Sequence, residues 1–94
     1  MKEEFSVGDI VKSIAGRDVG IDFLVVNVDG DNVYLVNGRD RKIQNPKKKN
    51  KKHLRKVLTA EEKELAERIL GKVATGNERV YRAIKAKKRK IQED

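Results

Sequence analysis

The chain has 94 residues, which is enough for one small domain and too few for a deep catalytic cleft inside a large core. It carries 23 Lys and Arg residues against 15 Asp and Glu residues, a net charge of +8, so a polyanion is the first class of partner to expect. It has no cysteine, which excludes disulfides and thiolate metal sites. The start, MKEEFSVGD, is unlike a secretory signal, and no apolar run approaches a membrane span, so we expect a cytoplasmic protein without a membrane partner.

The first 38 residues predict β structure. In a strand, Ile10, Lys12 and Ile14 would alternate in register with Val11 and Ser13, and the β-branched runs FLVVNV (residues 23–28) and NVYLV (residues 32–36) follow. Asp29-Gly30 lies between these two runs, and this pair favours a tight hairpin because both residues tolerate positive φ. Asn37-Gly38 predicts another reversal after the third strand.

Residues 39–56, RDRKIQNPKKKNKKHLRK, contain ten Lys or Arg residues and a single acid. We predict a fourth, polar strand at residues 39–44, ended by Pro46 because proline cannot donate to a β ladder. A mobile basic loop is expected at residues 45–52 and a closing strand at residues 53–57. Five short strands with tight turns indicate a mainly β fold, a small barrel.

The hydrophobic period changes to that of helices after residue 58. Thr59-Ala60-Glu61-Glu62 and Thr75-Gly76-Asn77-Glu78 both match the capping-box pattern of a helix N-terminus. Apolar residues then recur at helical spacing, first at Leu65, Ile69, Leu70 and Val73 and later at Val80, Tyr81 and Ile84. We therefore expect a barrel domain at residues 1–58 and a helical extension at residues 59–94, whose basic end beyond Ala86 should fray.

Residues 7–38, VGDIVKSIAGRDVGIDFLVVNVDGDNVYLVNG, resemble the KOW motif in the order of strand, Gly-x-x-x-Gly loop, long apolar strand, turn and strand. The continuation RKIQNPKKKNKKHL resembles the basic strand and closing strand of bacterial KOW-domain RNA-binding proteins. Those proteins are similar to a large-subunit ribosomal protein family of eukaryotes and archaea. The resemblance covers residues 6–57 and implies an SH3-like barrel that binds RNA, often ribosomal RNA.

The first loop departs from the pattern of this family. The family commonly has a basic residue just before its signature glycine and often another just after it, whereas Val19 and Ile21 flank Gly20 here. Arg17 is the one cation of the loop, and it could contact phosphate or pair with Asp18 or Asp22. The binding charge is therefore expected mainly within residues 39–56.

The candidate RNA-binding residues are the cations of these two segments and the only histidine. They are Arg17, Arg39, Arg41, Lys42, Lys47, Lys48, Lys49, Lys51, Lys52, His53, Arg55 and Lys56. Alternatively, the basic segment could be a solvated loop or a localisation signal. The glycines are predicted to serve the backbone at turns, namely Gly16, Gly20, Gly30 and Gly38.

The sequence favours a non-enzymatic RNA-binding protein that needs no cofactor or metal, because it offers no converging acid-base or nucleophilic groups. An apparent calcium loop at Asn27, Asp29 and Asp31 fails because Asn32 and Gly38 stand where a glycine and a bidentate acid are required. With only two Phe and two Tyr residues, structured RNA is a better ligand than single strands. We expect a monomer that binds ribosomal RNA and possible protein partners of the ribosome or a polymerase. An alternative function is a protein-interaction adaptor of the transcription or translation machinery that uses Val19 and Ile21.

Overall fold

The structure, a computed structural model, describes residues 4–59, 61–72 and 75–92, with the backbone alone for residues 88–92. It is a small, mainly β fold with one five-stranded antiparallel sheet and two helices, which confirms the element types predicted above. Val73 of the first helical stripe and Ala60 of the first capping box lie outside the described residues. The strands are β1 (Ile10–Ser13), β2 (Asp22–Asp29), β3 (Asn32–Val36), β4 (Lys47–Asn50) and β5 (Leu54–Leu58), and the helices are α1 (Lys63–Leu70) and α2 (Asn77–Gln92).

The sheet has the strand order β4-β3-β2-β1-β5. The predicted hairpin joins β2 and β3, where Asp29 pairs with Asn32 and Gly30 has φ of 62°. Positive φ at the turn is the conformation that this two-residue connection needs, and glycine adopts it without a steric penalty.

The predicted fourth strand at residues 39–44 is wrong, and so is the mobile loop at residues 45–52. Residues 39–46 form turns, in which the Asn37 side-chain oxygen accepts hydrogen bonds from the backbone N–H groups of Arg39 (3.0 Å) and Arg41 (2.9 Å). These bonds fold the chain back on itself and prevent an extended ladder. The fourth strand begins after Pro46 and pairs with β3 from Lys47 to Asn50.

The two edge strands are joined by a single 3₁₀ turn at Lys51–His53. The connection from Asn50 to Leu54 spans at most about 14 Å, whereas the edges of a flat five-stranded sheet would stand about 19 Å apart. The sheet must therefore curl, so that its two edge strands, β4 and β5, approach each other where the 3₁₀ turn joins them.

Both faces of the sheet carry buried apolar side chains. One cluster lies on the face away from the helices and includes Phe5, Val11, Phe23, Val25, Val33, Leu35 and Leu54. The other cluster joins the sheet to both helices and includes Ile10, Leu24, Val26, Val36, Leu65, Ile69, Val80 and Ile84. Because one apolar cluster includes residues of sheet and helices, α1 and α2 are packed on the sheet.

Helix α1 approaches the chain closely just before β1. The Gly8 carbonyl accepts a hydrogen bond from the Glu62 N–H at 3.1 Å, and a Cβ on Gly8 would lie 2.4 Å from the Lys63 Cα. The helix begins at Lys63 with Glu62 as its N-cap, so the capping box predicted at Thr59 does not start it. Within the described residues, no helix is long and apolar enough to span a membrane.

Candidate nucleic-acid interface

The loop between β1 and β2 turns its acid inward. Ser13 Oγ donates to Asp18 Oδ1 at 2.6 Å, and Lys49 Nζ contacts the same oxygen. Lys47 Nζ lies 2.7 Å from Asp18 Oδ2. Lys49 also donates to the Ala15 carbonyl at 2.7 Å, so β4 is fastened to this loop by two lysine side chains.

Asp18 is ionised over the ordinary pH range in spite of its burial. Removal from water would by itself raise its pKa, but hydrogen bonds from Lys47, Lys49 and Ser13 outweigh that effect. The pKa of Asp18 consequently lies well below its usual range. We call the Asp18 carboxylate and the ammonium groups of Lys47 and Lys49 the internal cluster.

The internal cluster engages two of the candidate RNA-binding residues, Lys47 and Lys49. Lys49 exposes 8% of its side chain and Lys47 exposes 27%. In the antiparallel register these lysines face Val33 and Leu35, on the interior side, because side chains alternate across a strand. The expectation that Lys47 and Lys49 lie in an open basic loop is therefore corrected.

Two further lysines of the basic segment form ion pairs with acidic residues. Lys51 Nζ lies 3.4 Å from Asp31 Oδ1, and its backbone N–H donates to the Asp31 carbonyl. Lys56 Nζ lies 3.5 Å from a carboxylate oxygen of the fully buried Asp9. The acidic first half of the chain thus neutralises much of the charge of the basic segment.

The remaining candidate cations form no ion pair within the part of the chain that the structure describes, apart from Arg39. Most are exposed and Arg41 is half-buried; they are Arg17, Arg41, Lys42, Lys48, Lys52 and Arg55. His53 is half-buried, and its carbonyl accepts a hydrogen bond from the Ile14 N–H at 2.9 Å. Of the alternatives left open for Arg17, the ion pair with Asp18 does not form, and that carboxylate is held by Lys47 and Lys49.

Three of these cations come from separate segments that meet at one end of the sheet. Ser13 pairs with Leu54 across β1 and β5, which brings the β1–β2 loop next to the 3₁₀ turn. Arg17 belongs to that loop, Lys52 to that turn and Arg55 to the start of β5. We call Arg17, Lys52 and Arg55 the basic corner.

Lys12 is a neighbour of the basic corner that the sequence interpretation did not include. It pairs with Arg55 on one side and with Asp22 on the other, so the three side chains lie in a row across the sheet. The alternation in β1 could have identified Lys12 as a residue on one face with Ile10, but its cross-strand neighbours depend on the register.

The turns of residues 39–46 lie against the start of α2. The Asn77 side-chain oxygen accepts from the Ile43 N–H at 2.8 Å, and its amide nitrogen donates to Gln44 at 3.0 Å. Gly38 packs so closely that a Cβ there would lie 2.1 Å from the Asn77 carbonyl oxygen. This contact brings Arg39 beside α2.

Arg39 lies over an aromatic ring rather than in a strand. Its guanidinium carbon is 4.0 Å from the centre of the Tyr81 ring, and its Nη2 is 3.7 Å from Glu78. Arginine stacks on aromatic faces in this way while its outer N–H groups stay available to a ligand.

The four predicted turn glycines all have positive φ, between 62° and 89°. Gly20 and Gly30 have nothing within 4 Å of an added Cβ, so backbone conformation alone accounts for glycine there. Gly16 and Gly38 in addition lie close to neighbouring atoms.

Comparison with protein-family models and with curated protein sequences finds no match.

Proposed function

We propose that the chain is a non-enzymatic RNA-binding module whose sheet is an SH3-like barrel of the KOW type. The curl that brings β4 and β5 together supports the barrel, as does the resemblance of residues 6–57 to KOW-domain proteins. The first candidate ligand is structured RNA, with ribosomal RNA as the leading case because of that resemblance. On this proposal the protein acts in the cytoplasm as a monomer and needs no cofactor.

The observation that carries the proposal is the basic corner. Three cations belong to chain segments that lie together at one end of the sheet, while Asp18, the acid of the β1–β2 loop, is turned inward and neutralised. Exposed cations that form no ion pair with the described side chains can displace counterions from a nucleic-acid backbone, and this release drives binding. Lys48 and Lys42 are further exposed cations of the basic segment.

The aromatic residues support structured RNA over single strands. Phe5 and Phe23 are buried, and Tyr34 and Tyr81 are half-buried. Single-stranded ligands are usually held by exposed rings on which bases stack, whereas paired RNA is recognised by its backbone and shape.

A salt titration tests the proposal directly. The full chain should bind an RNA hairpin with an affinity that falls steeply as salt rises. Replacing the basic corner (Arg17→Gln, Lys52→Gln, Arg55→Gln) should reduce the slope of log K against log salt by about 2–3, since each lost phosphate contact removes about 0.7–0.9.

The control for this titration removes the same charge from helix α1 and the turn that follows it, with Lys63→Gln, Arg68→Gln and Lys72→Gln. These three side chains are exposed and form no ion pair with any residue for which side chains are described. Equal slopes for the two triple variants would refute the basic corner, and absence of salt-dependent binding by the unmodified chain would refute RNA binding itself.

A second function, a protein-interaction adaptor, is favoured by one observation. Val19 exposes 60% of its surface and Ile14 exposes 44%, both at the β1–β2 loop. Ile21, the other predicted contact, is half-buried and packs against the apolar cluster away from the helices. Capture of a ribosomal or polymerase protein that survives nuclease and is lost in Val19→Ser would support the adaptor; loss of capture on nuclease treatment would support RNA.

A further inference from the structure

A second group of cations surrounds Tyr81, away from the sheet strands. The Arg39 guanidinium carbon lies 4.0 Å from the ring centre, and Lys85 Nζ lies 5.7 Å from it. Arg82 joins the group because its Nε is 3.3 Å from Glu78, the acid that Arg39 also approaches. We call Arg39, Arg82 and Lys85 the tyrosine cluster.

The packing of α2 explains why the residues of the tyrosine cluster lie on one side of the helix, next to the turns of residues 39–46. Val80 and Ile84 are buried against the sheet, and Asn77 binds the turns of residues 39–46. Tyr81 and Lys85 follow Asn77 at four-residue intervals, so they lie on the same side of the helix as those turns. Arg39 is thereby delivered onto the ring from a segment about forty residues earlier in the chain.

The charges of the tyrosine cluster are incompletely balanced. Glu78 is the one carboxylate within ion-pair distance of Arg39 and Arg82 among the residues with described side chains, and it is shared between them. These side chains are well exposed, 56% for Arg39 and 78% for Arg82. Exposed pairs contribute little, so an incoming anion can compete with Glu78 for both guanidinium groups at low cost.

The ring favours a particular kind of anion. The Tyr81 ring supports the Arg39 guanidinium that lies over it, and the N–H donors of a guanidinium suit the paired oxygens of a phosphate. Lys85 adds a point charge beside the same ring. An aromatic-oriented arginine with two neighbouring cations is therefore preorganised for a phosphodiester group.

We propose that the tyrosine cluster is a second phosphate contact for RNA, separate from the basic corner, so that one RNA touches both the sheet and α2. The proposal rests on the proposed function and adds to it a binding role for the helical part of the chain. The ligand group is a backbone phosphate, which carries no base sequence, so this contact positions the RNA without specifying it.

The test compares variants of the full chain in the same hairpin titration. Arg82→Gln with Lys85→Gln should lower the salt slope by about 1.4–1.8, the value for two phosphate contacts. The matched control, Arg68→Gln with Lys72→Gln, removes the same charge from the last turn of α1 and the turn that follows it, and should change the slope much less. Circular dichroism should show the same helix content in both double variants.

Glu78→Gln provides an opposite test, because it removes the competing carboxylate. RNA affinity should rise and the salt slope should steepen, whereas the exposed hairpin variant Asp29→Gln adds the same charge and should have a smaller effect.

If the double variant of Arg82 and Lys85 has the same slope as the double variant of Arg68 and Lys72, or if Glu78→Gln brings no preferential gain, the tyrosine cluster is overturned while RNA binding stands. If the unmodified chain fails to bind the hairpin, both the cluster and the proposed function are refuted.

Discussion

Substitution of Asp18 by Asn tests whether the internal cluster holds the curled sheet together. Removing one member of a buried ion pair typically costs about 3–5 kcal/mol, because the remaining charge is left buried without compensation. Here the loss should be smaller, since asparagine still offers Lys49 and Ser13 an acceptor and Lys47, with 27% of its side chain exposed, can turn to water. We expect Asp18→Asn to lower the free energy of unfolding by about 2–3 kcal/mol, a large part of the roughly 5–14 kcal/mol available to a chain of this length.

Urea unfolding followed by circular dichroism measures this change. With an m-value of about 1.5 kcal/mol per molar, the midpoint should fall by about 1.3–2 M. Asp29→Asn, at the exposed hairpin, is the control and should stay within about 0.5 kcal/mol of the unmodified protein. A loss for Asp18→Asn as small as that of the control would refute the structural role of the internal cluster.

Lys49→Met, combined with Asp18→Asn in a double-mutant cycle, measures the direct interaction between Asp18 and Lys49. If Asp18 and Lys49 stabilise each other, the double variant should lose less than the sum of the two single losses. Strict additivity would contradict a direct interaction.

Acid should abolish the advantage of Asp18. Its pKa in the folded chain is lower than its ordinary value of 3.8, so its contribution is complete above that pH and is lost as the pH falls towards the folded value. The difference in unfolding free energy between the unmodified protein and Asp18→Asn should therefore shrink below about pH 4. A difference that grows on acidification would contradict the lowered pKa.

Three further variants test the packing of the helices. Gly30→Ala should cost roughly 1–2 kcal/mol of backbone strain. Gly38→Ala should cost well over that amount, because its new methyl group would also collide with α2. Equal losses of stability in urea would contradict the contact between Gly38 and α2. Asn77→Ala should cost about 1–2 kcal/mol, since its side chain accepts a backbone hydrogen bond from the neighbouring turns, and hydrogen exchange there should accelerate. Leu65→Ala should cost about 2–4 kcal/mol as measured by urea unfolding, whereas Leu70→Ala, half-exposed, should cost less than 1.

Local patterns were enough to predict most strands and both helices, because their signals lie in consecutive residues. Asp29-Gly30 identified the hairpin, and the apolar positions Leu65 and Ile69 identified the buried side of α1. The error at the fourth strand came from Pro46, which was interpreted as the end of a strand when it precedes one. Proline is accepted at the first position of a strand as readily as after its last, so this signal is ambiguous without the register.

The fate of the lysines could not be predicted from the sequence. Lys48 and Lys49 are adjacent and identical in type, yet one is exposed and the other is buried against Asp18. That difference follows from pairing with β3 and from the approach of a loop about thirty residues away, both of which are tertiary contacts. For the same reason the stacking of Arg39 on Tyr81 has no local signal. The division of the chain at residue 58, like the fraying of its end, stays a prediction.

The composition of β4 also bears on how this protein avoids self-association. An edge strand presents unpaired backbone groups that another sheet could extend, and this is a common route to aggregation. In this chain the edge follows Pro46 and is composed of three consecutive lysines and Asn50. A second strand docking there would approach the positive charge of the exposed Lys48. The lysines of β4 thus also disfavour pairing of another strand with this edge of the sheet, and this would help the protein resist aggregation at high concentration.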